Sequence, residues 1–204
     1  MKKILLSSDF RNTACNQLWK VVSGPLILIL IPLYLSSEIQ GYWYTFISLA
    51  ALAIFADMGF STILLQFSAH EYAHLEFYND GKNLRGKKKH LVRLATLWRF
   101  AMKWALTVAL FAFPVILFLG YFFLERKETQ IDWLFPWVIY VFASSIVFIN
   151  SMILSFIEGC NSVGEIQKIR LFISFVTVIT TVLLLISDVK LYALSLALFL
   201  GAIS

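Results

Sequence analysis

GYWYTFISLAALAIFADMGFSTILLQ, residues 41 to 66, is an apolar run with one acid, Asp57, well inside it. At 1.5 Å per residue it rises roughly 39 Å as a helix, against a hydrocarbon core of roughly 30 Å, so its length predicts a tilted membrane span. A carboxylate costs about 2.5–3.5 kcal/mol at mid-bilayer on insertion scales, and such acids usually face a bundle interior or a wet cavity. Asp57 is therefore the first functional candidate, for coupling or gating. The plainer alternative is that it hydrogen-bonds Ser61 or a neighbouring helix.

The rest of the chain has the same character. Of its 204 residues 60 % are hydrophobic and only 14 % charged, with mean hydropathy +0.80. Globular domains average roughly 45–50 % apolar and 25 % charged, so the composition is that of an integral membrane protein. No small-residue cleavage site follows the first apolar run, which carries Lys20 at its head and Pro25 and Pro32 within it; it reads as a kinked first span over about 15 to 35. Further spans are expected at about 98 to 124, 133 to 156 and 169 to 186, with a sixth starting at Leu191. The segment from His70 to Leu97, rich in Lys and Arg, reads as a solvated loop. The expected fold is all-α: a polytopic transmembrane helix bundle of about five complete spans and a truncated sixth, with residues 1–204 as one incomplete lobe.

Of the 17 Lys and Arg residues, all but Arg126, Lys127 and Lys190 belong to the N-terminus, the segment between spans two and three, and that between spans four and five. This asymmetry predicts a cytoplasmic N-terminus. It also explains the net charge of +5 without nucleic acid. Trp19, Trp98 and Trp104 at the inner ends of spans, and Trp43, Trp133 and Trp137 at the outer ends, suggest aromatic belts. Cys15 and Cys160 have no paired spacing, so neither a disulfide nor a zinc knuckle is expected.

Three polar patterns remain. Asn12, Asn16 and Lys20 recur every four residues and form one stripe. Thr96, Arg99 and Lys103 form another, and together the two could line a cationic vestibule; plain interfacial anchoring is the alternative. His70-Glu71-Tyr72-Ala73-His74 matches H-E-x-x-H, the helical zinc motif of metalloproteases, but no third ligand is evident, so no metal is expected. Ser144, Ser145, Asn150, Ser151 and Ser155 give the fourth span a polar side suited to interhelical hydrogen bonds. No phosphate loop, nucleophile elbow or catalytic carboxylate pair is present, so neither an enzyme nor a cofactor is expected.

The proline-bearing first span, Glu38-Ile39-Gln40-Gly41-Tyr42-Trp43, Asp57-Met58-Gly59-Phe60-Ser61, the LLQFSAHEYAHL segment and Glu158-Gly159-Cys160-Asn161 resemble, in that order, the N-terminal part of polysaccharide (O-antigen type) flippases of the multidrug/oligosaccharidyl-lipid/polysaccharide exporter superfamily. The resemblance implies a multi-pass protein of the bacterial inner membrane that moves a polyprenyl-pyrophosphate-linked oligosaccharide between leaflets. Lys20, Arg99, Lys103 and Asn16 would then attract the substrate, and Asp57 would respond to a coupling proton or sodium ion. The rival readings are a drug/cation antiporter of the same superfamily and a zinc protease built on His70 and His74.

Overall fold

A computed structural model describes residues 8–78, 83–126 and 131–204. Eight helices and one hairpin are described: α1 (Ser8–Tyr34), α2 (Ser37–Ala50), α3 (Ala53–Asp57), α4 (Phe60–Tyr72), β1 (Leu75–Tyr78), β2 (Asn83–Gly86), α5 (Lys88–Glu125), α6 (Leu134–Gly159), α7 (Val163–Ile186) and α8 (Tyr192–Ile203). The protein is an all-α bundle with membrane character. α1, α5, α6 and α7 are each long and apolar enough to cross a bilayer.

The packing order is a row: α1 lies on α7, α7 on α8, α8 on α6, and α6 is joined to α5 both directly and through α4. Small residues set the close approaches. A Cβ on Gly120 of α5 would run into the indole of Trp137 on α6, one on Gly159 into Ser68 of α4, and one on Gly201 into Thr177 of α7. Close helix approach at small residues is how membrane bundles gain van der Waals contact when lipid is as apolar as the side chains. The core centres on Phe46, Trp43, Trp137 and Met152, all essentially inaccessible. Phe46 sits 5.0 Å from Trp137, ring centre to ring centre. The Trp137 indole N–H donates to the Leu117 carbonyl at 3.1 Å. Trp43 and Trp137 are thus core residues rather than members of an interfacial belt, and the Trp137 indole can be buried whole because its N–H finds a carbonyl.

Three expectations are corrected. The second apolar run is not one helix but three, interrupted at Ala51–Leu52 and at Met58–Gly59. At the first interruption the ladder tightens, with Leu52 N–H donating to Leu49 O and Phe55 N–H to Leu52 O. At the second, Met58 and Gly59 both take positive φ (49° and 75°), which ends one helix and starts the next. The expected loop from His70 to Leu97 holds instead the end of α4, the antiparallel hairpin with Leu75 opposite Gly86, and the first ten residues of α5. Finally, α1 begins at Ser8, ahead of the expected start near residue 15, and remains helical past Pro25 and Pro32.

Candidate functional site

The interruption of the second run has a consequence at mid-bundle. An open cavity of about 420 Å3 lies beside Ala51 and Ala53, lined also by Tyr140, Ser144 and Ser151 of α6, with Asp57 on its wall. Those α6 residues lie near the middle of a 26-residue helix, so the cavity sits about half-way along the bundle. Irregular backbone at membrane depth is tolerated where it is covered by protein or lines a cavity, and both breaks flank this one.

Asp57 does two things there. Its Oδ1 accepts the Ser61 backbone N–H at 3.1 Å and its Oδ2 accepts the Ser61 hydroxyl at 2.8 Å. The carboxylate therefore caps the N-terminus of α4, where N–H groups lack helical partners and the helix dipole favours negative charge. It also remains half-exposed on the cavity wall. The plain Ser61 alternative is thus observed, and the same carboxylate also faces the cavity. Among the described residues no Lys or Arg lines this cavity; Tyr140, Ser144 and Ser151 supply its other polar groups. The hydroxyls of Ser144 and Ser151 donate to carbonyls of their own helix, Tyr140 O and Phe148 O, which leaves their oxygen lone pairs as acceptors. An acid with hydroxyl oxygens around it is a cation-favouring wall. Of the polar side expected on α6, Asn150 makes the cross-helix bond, donating to Ala202 O at 2.7 Å.

The other predicted site residues are placed elsewhere. Asn16 is fully buried in the α1–α7 seam, its Nδ2 donating to Gln167 Oε1 at 2.7 Å, and Asn12 donates to the Gly164 carbonyl at 3.1 Å. The polar network continues: Gln167 Nε2 donates to Glu158 Oε1 at 3.0 Å, and Glu158 Oε2 pairs with Arg170 at 2.7 Å. Lys20 is exposed at the flank of that seam. Arg99 and Lys103 are exposed too, on the face of α5 opposite its buried Leu94, Ala101, Ala105 and Val108. Since α1 packs on α7, whereas α5 packs on α4 and α6, the structure does not bring Lys20 together with Arg99 and Lys103.

The HEYAH segment acquires partners that its own spacing did not announce. Glu71, nearly buried, accepts from His90 Nδ1 at 2.6 Å and from Arg93 at 3.4 Å, both on the first turns of α5. An ionised carboxylate can only accept, so His90 carries its proton on Nδ1. The hydrogen bond from His90 holds the Glu71 carboxyl below its ordinary value; burial opposes this, and the Arg93 charge reinforces it. His90 is a third histidine near the motif, with its ring centre 4.3 Å from that of His74, which is 5.4 Å from His70. The rings meet His74 by their faces and edges, and Nδ1 of His90 is committed to Glu71. Among the described residues no group of three or more His, Cys, Asp and Glu is placed to hold a metal. Compared with family models, curated proteins and solved structures, the chain matches none.

Proposed function

We propose that this chain is the N-terminal lobe of a cation-coupled membrane exporter whose cargo is a lipid-linked oligosaccharide, and that Asp57 is its coupling site. One observation carries the reading: an acid on the wall of a mid-bundle cavity, at the point where an apolar run breaks into short helices. Transporters build substrate and ion sites near the bilayer midplane from discontinuous helices, whose free helix ends and unwound backbone face the ligand. The cargo comes from the resemblance of the sequence to polysaccharide flippases and to nothing in the cavity itself.

A second reading has an observation of its own. Because the described residues of the cavity wall include an acid and no base, a cationic drug could sit directly on Asp57, as in an antiporter of the same superfamily. The experiment separates the two. Asp57→Asn and Asp57→Glu are expressed in the intact protein at matched levels, and both surface polysaccharide and efflux of a cationic dye are measured. The proposal predicts at least a tenfold loss of surface polysaccharide for Asn, partial retention for Glu, and no dye efflux by any form. Dye efflux abolished by Asn with normal polysaccharide would move the protein to the antiporter class. Normal polysaccharide and no dye efflux in every form would remove Asp57 from function.

A further inference from the structure

The outward face of α5 at its basic end carries a row of cations. From Lys88 to Leu124 this helix contains no acid. Lys89, Val92, Thr96, Arg99 and Lys103 recur every three or four residues and all are exposed, so they form one stripe along the helix. Beside that stripe α4 and α5 enclose a groove of about 600 Å3 with walls of Phe67, Val92, Leu97 and Phe100, and with Arg93 and Thr96 on its lining. The groove is within the range of ligand sites, about 300–1,000 Å3.

Glu71 is the acid of this groove, and both of its oxygens are engaged, one by His90 and one by Arg93. Arg93 remains 53 % exposed, and of its five N–H donors the Glu71 contact uses one. The result is an apolar trough with a cationic rim at the end of a membrane-crossing helix. A water-soluble anion has no use for the trough, and a purely apolar molecule has none for the rim. An amphiphile with a phosphate at one end satisfies both, since guanidinium groups grip phosphate oxygens through a planar fork. Basic pockets between membrane helices hold anionic headgroups by the same chemistry. Net negative charge matters: a zwitterionic headgroup brings its own ammonium against Lys89, Arg93 and Arg99.

We propose that the α4–α5 groove binds one anionic phospholipid of the surrounding bilayer, with its phosphodiester on Arg93, in the field of Lys89 and Arg99 to either side along α5, and an acyl chain against Phe67 and Phe100. This assignment is independent of the cargo and of Asp57. It also gives Arg99 a binding role without requiring it to meet Lys20. It differs from plain anchoring by snorkelling cations, which needs no groove and holds no particular lipid.

The test is native mass spectrometry of the purified chain in a neutral detergent, titrated with phosphatidylglycerol and with phosphatidylcholine of the same chains. A single retained phosphatidylglycerol, favoured about tenfold over phosphatidylcholine, is expected. The double variant Arg93→Gln/Arg99→Gln should fall to the phosphatidylcholine level. Equal retention of the two lipids by the native chain, or an undiminished preference in the double variant, overturns the proposal. Should that variant fail to fold, the native chain still decides: raising the salt must erode the preference, because a rim of exposed charges is screened. A salt-independent preference counts against it. Complete displacement by equimolar polyprenyl diphosphate would give the groove to the cargo instead and overturn the phospholipid assignment.

Discussion

Glu71 shows how one carboxylate can tie two helices together. It sits at the end of α4 and its partners, His90 and Arg93, sit one turn apart on α5, so the contact fixes where the end of the second apolar run meets the start of the next long helix. Its folded-state pKa is lowered, chiefly by the His90 hydrogen bond. The linkage sign follows: the stabilisation is present above the ordinary carboxylate value, 4.5, and is lost as the pH falls through the depressed folded value. The thermal midpoint in detergent should therefore stay level down to the ordinary carboxylate range and then drop. Glu71→Gln should begin lower and lose that carboxylate-linked drop. An identical acid profile for the two proteins would mean that the Glu71 contact contributes nothing. His90 was the residue that sequence spacing could not supply. It lies 19 positions from Glu71, across a hairpin, and no periodicity links the two.

At the scale of elements, glycine positions discriminate between seam and surface. Gly120 and Gly159 each face a side chain that leaves no room for a Cβ, whereas Gly24 and Gly41 have nothing within reach. Gly120→Ala and Gly159→Ala should destabilise by about 1–3 kcal/mol through overpacking. Gly24→Ala and Gly41→Ala, in helices with open space, should gain about 0.5–1 kcal/mol from the helix preference of alanine. Denaturation in mixed micelles measures all four, and equal effects at the two pairs would contradict the packing described. The helices themselves were largely legible from apolar length, because a run of some twenty apolar residues has few other solutions. What the periodicity could not tell was which neighbour a stripe meets. The Asn12, Asn16 and Lys20 spacing correctly gave a single stripe, but its first two members turned inward to Gly164 and Gln167, partners more than 150 positions away. Similarly, Asp57-Met58-Gly59 carried a readable stop and start, an acid cap and a glycine. The break at Ala51–Leu52 lies in an alanine-rich stretch that favours helix, so local propensity argued against it.

For the whole molecule, the row of helices brings the basic ends of α1, α5 and α7 to one side, together with the close of α4 and α6. A coupling role for Asp57 requires the middle of the bundle to be wet where the second run breaks. In a background lacking Cys15 and Cys160, single cysteines at Ala53, Ser144 and Leu110 in the intact protein in sealed membranes are exposed to a small, charged thiol reagent. Ala53 and Ser144 border the Asp57 cavity, whereas Leu110 lies on the exposed outer face of α5 at similar depth. Modification at residues 53 and 144 is expected at rates at least tenfold above residue 110. Rates at 53 and 144 as slow as at 110 would mean a dry cavity, and would contradict a coupling role for Asp57.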